Sequence, residues 1–193
     1  MPVDIRVEND SAQRLARDLS AMGARGKRMI RSAVNETGRS VRTNVSKRLR
    51  EVITLKSSEI RDQVSLRRAG DLTNPTASVT LRRKPVPLIR FQVRPRQPDP
   101  KRKLPVLVKV YQNRPAERDA RAFVARMASG HVGVFRRMGR GRLPIVEKTG
   151  PTPLGVFENE PGIERTVLRE ADEKLTQNLS RKLDFLLRGV GRA

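Results

Sequence analysis

The sequence predicts an α+β fold: an antiparallel β-sheet packed against long N-terminal and C-terminal α-helices, with extended basic loops. Three observations carry this prediction. Apolar residues recur every three or four positions over Lys27–Val52 and again over Gly162–Val190, as on two long amphipathic helices. Between them, short runs alternate apolar and polar residues as half-buried strands do. The middle of the chain is broken by a proline-and-cation stretch, Arg94–Lys103, and by a glycine-and-arginine turn, Gly139–Arg142, which are connectors of strands.

A chain of 193 residues is expected to form one domain over 1–193, helical over 11–66, strand-rich over 76–149 with a basic arm at 94–103, and closed by a helix over 160–190. Only 3% of it is aromatic, so its core is built from Leu, Val, Ile and Ala and is thin for a monomer. Burial against further copies of the chain would complete it.

In order, Pro2–Val7 alternates Val3, Ile5 and Val7 against Asp4 and Arg6, as a short strand. Asn9, Asp10 and Ser11 offer caps to a first helix over Ser11–Met22, with Leu15, Ala16 and Leu19 on one face and Gly23 and Gly26 as its stop. The second helix, Lys27–Val52, sets Ile30, Val34, Thr37, Val41, Val45, Leu49 and Val52 on one stripe about 38 Å long. Its other face carries Lys27, Arg28, Arg31, Arg39, Arg42, Lys47, Arg48 and Arg50, either as a solvated surface or as a contact. Ser57 or Ser58 can cap a short helix reaching Val64, and Arg67–Pro75 reads as a turn region.

Strand patterns follow at Thr76–Arg82, Val86–Val93 and Leu104–Tyr111. Arg94–Lys103 holds three prolines and five cations, so it reads as an extended arm, solvated or ordered on contact with DNA or a neighbouring subunit. Asn113–Asp119 is a polar connector. His131–Met138 then alternates Val132, Val134 and Arg136 against His131, Gly133, Phe135 and Arg137. Gly139 and Gly141 give the turn its freedom, and Leu143–Glu147 returns, with Pro144 confined to an edge or a strand start. Thr149–Pro153 breaks the chain. The closing helix aligns Ile163, Val167, Ala171, Leu175, Leu179, Leu183, Leu186 and Val190, with Leu168 and Leu187 widening the stripe and Gly189 or Gly191 ending it. Leu175, Leu179, Leu183 and Leu186 are candidates for core or for subunit packing.

The net charge is +22, which predicts attraction to nucleic acid, an anionic membrane or an acidic protein surface. There is no cysteine, hence no disulfide, thiolate metal site or Cys nucleophile. His131 stands alone, which disfavours a multi-His metal site or a Ser-His-Asp set. Gly139-Arg140-Gly141 lacks the spacing and the Lys-Ser/Thr pair of a phosphate-binding loop. Acids at Glu164, Glu170, Asp172 and Glu173 are interleaved with Arg165, Arg169 and Lys174, as intrahelical pairs rather than as a two-metal site. No cofactor, no metal and no enzymatic activity are expected. With one Tyr and no Trp, base stacking is not the means of recognition, so any DNA contact is to phosphates and independent of sequence. No run is long and apolar enough to span a membrane, and the opening MPVDIRVEND has no signal-peptide pattern, so a soluble protein made in the cytoplasm is expected.

The order of these segments resembles the minor tail protein Z (tail completion protein) family of lambda-like long-tailed bacteriophages and prophages. The resemblance rests on AVNETGRSVRTNVSKRLRE (Ala33–Glu51), LKSSEIRDQVSL (Leu55–Leu66), the basic strand-rich middle, AFVARMASGHVGVFRRMGRGRLPIVEKTGP (Ala122–Pro151) and the long closing helix. It implies a structural neck protein of the virion: a hexameric ring at the head-proximal end of the tail, beside the tail terminator and the head-tail joining protein. The C-terminus of the tape measure protein and the phage DNA end are further implied partners. No membrane partner and no catalytic residue are implied. Six copies would carry a formal charge of about +132, which needs a negative surface opposite it. Arg94, Arg96, Lys101, Arg102 and Lys103, with Arg136, Arg137, Arg140 and Arg142, are the candidates to meet DNA or an acidic partner. The alternative is a DNA-binding protein acting on its own.

Overall fold

The computed structural model of the chain describes residues 2–5, 10–99 and 104–190. Its elements in order are β1 (Pro2–Ile5), α1 (Asp10–Ala21), α2 (Gly23–Val52), α3 (Ser57–Gln63), β2 (Val64–Arg67), β3 (Ala77–Leu81), β4 (Val86–Pro87), β5 (Gln92–Arg94), β6 (Val106–Lys109), β7 (Glu117–Asp119), β8 (Ala122–Arg126), β9 (Val132–Arg137), β10 (Ile145–Glu147), β11 (Thr149–Gly150), α4 (Pro153–Asn159) and α5 (Ile163–Val190). The class is α+β, and every strand pair among the described residues is antiparallel. The strands form four small sheets rather than one: β1-β3-β2, β10-β9-β8, β11-β4 and β5-β6-β7. None exceeds six residues, and prolines interrupt the runs between them, so no ladder extends far enough to join the next.

Two compact units divide the chain: Met1–Ser46 with Val64–Leu81 and Phe157–Ala193, and Lys47–Gln63 with Arg82–Val156. In the first, α1, the start of α2 and α5 share an apolar core of Ala12, Leu19, Ile30, Ala33, Val34, Leu175, Leu179 and Leu186, closed by Ala69 and Ala77. Leu183 is partly buried against it. Of the two roles open to these α5 leucines, core packing is what the structure shows. Leu168 and Leu187 are not on the buried stripe; they are 43% and 54% exposed. At about 100° per residue each stands one step round from Val167 and Leu186, which hold the core side.

Gly26 is not a helix stop but lies inside α2. The break comes at Gly23, whose φ of +67° turns the chain from α1 into α2. A Cβ at Gly26 would lie 1.6 Å from the Leu19 carbonyl oxygen, so this glycine lets the two helix backbones meet. Polar residues of α2 hold the segment after α3. Arg42 Nε donates to the Val64 carbonyl at 3.1 Å, and the Asn35 amide exchanges two hydrogen bonds with the Ala69 backbone. Val64–Arg67 pairs with β3, so the turn region expected from Arg67 onward opens on the end of a strand. Val7 and the cap candidate Asn9 lie outside the described residues, as does Gly191; α5 runs through Gly189 to Val190.

In the second unit, the run Val86–Val93 is not one strand. It breaks into β4, a single 3-10 turn at Leu88–Arg90, and β5. Pro87 precedes the turn, and Phe91, fully buried, follows it. A Cβ at Gly150 would stand 2.5 Å from the Phe91 ring, so β11 needs glycine to pass over that side chain. The polar connector contains a strand, β7, held to β6 by three register pairs. Thr149–Pro153 is likewise structured: β11 pairs with β4, and Thr152 Oγ1 accepts the Gly155 N–H at 3.0 Å to cap α4.

The hairpin β9–β10 forms as expected, with Met138 N–H donating to the Pro144 carbonyl at 3.0 Å across the turn. Its outer partner β8 adds a third strand through the Phe123–Phe135 register. Neither Gly139 nor Gly141 takes a positive φ; the left-handed glycine is Gly130, in the β8–β9 turn. A seven-residue connection from Met138 to Pro144 reverses the chain without one.

Candidate functional site

The two units differ sharply in charge. The second carries 24 Lys and Arg against 7 Asp and Glu, so +17 of the net +22 belongs to it, leaving +5 on the first. The candidate residues that the structure describes, Arg94, Arg96, Arg136, Arg137, Arg140 and Arg142, are all in this unit and all exposed. Lys101, Arg102 and Lys103 lie outside the described residues.

The hairpin presents four of these arginines at one end. Register puts Val124, Val134 and Ala122 on the buried face of β8–β9, with Arg136 continuing that row beyond the core. The opposite face carries Phe123, Phe135 and Arg137, and the Arg137 guanidinium sits over the Phe123 ring, 5.3 Å from its centroid. Both phenylalanine rings stand side by side at 6.3 Å. The base of the hairpin is braced by His131, whose Nε2 lies 2.8 Å from Glu147 Oε1. Gly133 makes room for this contact, because a Cβ there would meet that carboxylate oxygen at 2.6 Å. The lone histidine is thus a structural brace. Among the described residues no group of three or more His, Asp or Glu could hold a metal.

The hairpin tip is not purely cationic. Met138, Leu143 and Val146 are 67%, 71% and 49% exposed beside Arg136, Arg140 and Arg142. Charge counting over the sequence passes over these apolar side chains. No described carboxylate pairs with the three arginines.

Arg94 and Arg96 belong to a different cluster. Together with Lys109 and Gln92 they line a cavity of about 460 Å³ on the face of β5 and β6. Register sets Gln92 opposite Lys109 and Arg94 opposite Leu107 on that face. Val93, Val106 and Val108 point to the other face and are buried. Thr54, also buried, locks the two strands where Gln92 and Lys109 meet: its hydroxyl donates to the Lys109 carbonyl and accepts the Gln92 N–H at 3.2 Å. The acids of β7, Glu117 and Asp119, are in register with Val108 and Val106, away from the cationic face. Asp119 is engaged there by Lys148, and its Oδ1 accepts the Arg121 and Ala122 N–H groups. The bond from Lys148, with these backbone N–H groups, holds the Asp119 carboxyl below its ordinary value although burial opposes this.

These two clusters are not one patch. Arg96 shares a second cavity with His131 and Val132, at the base of β9. The tip arginines begin at the far end of that strand, roughly 17 Å away at 3.3 Å per residue. Sequence reasoning missed Lys109 and Gln92. Lys109 alternates with Val106, Val108 and Val110 along Leu104–Tyr111, but nothing local says that β5 pairs beside it.

A family model described as prophage minor tail protein Z (GPZ) matches residues 12–192 of the chain. No curated protein and no solved structure matches it. No described helix is long and apolar enough to cross a membrane.

Proposed function

This chain belongs to the prophage minor tail protein Z family, and we propose that it is a ring-forming tail completion protein. In this reading it sits at the head-proximal end of the tail tube, between the tail terminator and the head-tail joining protein, and meets the end of the phage DNA without reading its sequence. A structural role in the phage tail comes with the family; ring, position and DNA contact are the proposal. The observation that carries it is the concentration of +17 on one unit. A cationic unit of this kind repels its own copies unless something anionic faces it. Tail assembly around DNA supplies such surfaces, whereas a subunit alone in solution has only counterions.

The two clusters have different chemistries. The cavity of Arg94, Arg96 and Lys109 is cationic and concave, which suits phosphates. The hairpin tip mixes arginine with Met138, Leu143 and Val146, which suits an acidic protein surface with apolar ground between its charges. The hairpin is therefore assigned to a neighbouring protein and the β5–β6 face to DNA. Immunogold labelling of the protein in intact virions tests the position. Label confined to the head-tail junction is the expected result. Label along the tube or at the distal tip overturns the placement, and particles without the protein overturn the structural reading in favour of a free DNA-binding protein.

A further inference from the structure

The geometry points to the cavity on β5–β6 as a built phosphodiester-binding site, in which Lys109 and Gln92 act with Arg94 and Arg96 on the backbone of a nucleic acid. The inference deepens the reading above and rests on it for the identity of the strand, not for the chemistry of the pocket.

Three cations line a cavity of about 460 Å³, and no described carboxylate does. Pockets for small ligands span about 300–1,000 Å³, so there is room for a nucleotide unit rather than a single water-sized ion. None of the three cations has a described carboxylate partner. The nearest acids of the same sheet, Glu117 and Asp119, are turned by register to its other face. Like charges gathered in a concavity raise one another's energy, and an anion within it relieves that.

The cluster is also positioned. Lys109 is half-buried, on a strand whose neighbours Val108 and Val106 are anchored in the core. Thr54 fixes Gln92 and Lys109 together by bonding both backbones. An ammonium carried on an anchored strand, beside two planar guanidinium forks and an amide donor, matches a phosphate's oxygens, which take charge-assisted bonds from several directions. No described aromatic ring lines the cavity, so bases are not stacked and the site reads backbone alone. An acidic peptide is the competing occupant. Leu107 and Ala116 give the lining apolar ground on which its side chains could sit, so the binding comparison below is what separates the two occupants.

The test uses the full chain, a short duplex DNA and inorganic tripolyphosphate. In wild type, tripolyphosphate should shift the amide resonances of Gln92, Arg94 and Lys109 before those of the hairpin. Two variants of equal charge change then separate a site from a diffuse field: R96Q/K109Q in the cavity, and R165Q/R188Q on exposed positions of α5. The slope of log K against log salt for duplex DNA should fall by roughly 2 in the first, about one for each phosphate no longer neutralised, and stay unchanged in the second. The weakening should be equal for unrelated sequences. Equal slopes in the cavity variant and wild type overturn the site, as does an equal fall in the α5 variant. Resonance shifts confined to the hairpin overturn it without reference to any variant. Preferential binding of a poly-glutamate peptide over duplex at matched charge would assign the cavity to a protein partner instead. A virion lacking the protein would leave these binding results intact and refute only the tail-completion reading.

Discussion

The Asn178 side-chain amide donates to Thr37 Oγ1 at 3.0 Å, and both side chains are buried between α2 and α5. The pair ties α5 to α2, as does a second polar contact between the same helices, from Asn44 Nδ2 to Glu170 Oε2 at 2.9 Å. Asn178 Oδ1 also accepts from Arg181 at 3.1 Å. Asn178→Ala leaves the Thr37 hydroxyl without its partner in the interior and should cost about 1–3 kcal/mol. Thr37→Val with Asn178→Leu removes both polar groups and should recover most of that loss. Urea unfolding of the three proteins checks this. A double variant less stable than Asn178→Ala would mean that the seam depends on shape rather than on hydrogen bonding.

Glu36 lies close to that pair and predicts a pH dependence. Burial pushes its carboxyl up, but Lys182 at 2.6 Å, Ser32 and the more exposed Arg181 together outweigh this and hold it below its ordinary value of 4.5. A carboxyl depressed in the folded state binds fewer protons there than in the unfolded chain. Its stabilisation is therefore present above the ordinary value and is lost as pH falls through the folded one. Thermal midpoints should drop as pH is taken below 4.5. Glu36→Gln should be less stable at neutral pH and should lose part of the acid slope. Asp71 and, in the other unit, Asp119 are also lowered and keep part of the remainder. An acid slope unchanged in Glu36→Gln would remove Glu36 from the account.

Gly26 and Gly139 separate a glycine that must be glycine from one that need not be. A Cβ at Gly26 would stand 1.6 Å from the Leu19 carbonyl oxygen, and that oxygen is backbone. Gly26→Ala must therefore move α1 off α2, away from the shared core, at a cost of more than about 3 kcal/mol. A Cβ at Gly139 meets nothing within 4 Å, and its φ is not positive. Gly139→Ala should fall within about 0.5 kcal/mol of wild type. Calorimetric midpoints measured side by side decide it, and equal effects would contradict the α1–α2 geometry.

What the sequence disclosed follows the strength of its periodicity. α2 and α5 were legible to within a few residues because a stripe such as Val34, Val41, Val45 and Leu49 repeats over many turns, and the structure buries each of these residues. β7 and β11 were not, since strands of three and two residues carry no period to read. α4 had a local signal: Thr152-Pro153 is a capping residue followed by a proline suited to the first helical turn, although the same pair equally marks a chain break. The division into four sheets was beyond local reading, because which strands pair is decided by tertiary contacts such as Thr54 on Gln92 and Lys109. The same limit applied to the site. Arginine density marked the hairpin and Arg94–Arg96, but only pairing brought Lys109 beside them.

The hairpin tip tests the assignment of that element to a protein neighbour. If it met only DNA, Arg140 and Arg142 would matter, and Met138 and Leu143 would be incidental. Against an acidic and partly apolar surface both pairs contribute. Burying one such apolar side chain is worth about 1.5–3 kcal/mol, hence on the order of tenfold or more in affinity. Arg140→Ser/Arg142→Ser and Met138→Ser/Leu143→Ser should both fold normally, because all four side chains are exposed in a connection outside the core. In complementation of a phage lacking the protein, each variant should then show reduced incorporation into purified tails by immunoblot, at unchanged thermal midpoint. Normal incorporation of Met138→Ser/Leu143→Ser alongside a deficit for the arginine pair would reassign the tip to a purely electrostatic contact. Normal incorporation of both would exclude the hairpin from assembly altogether.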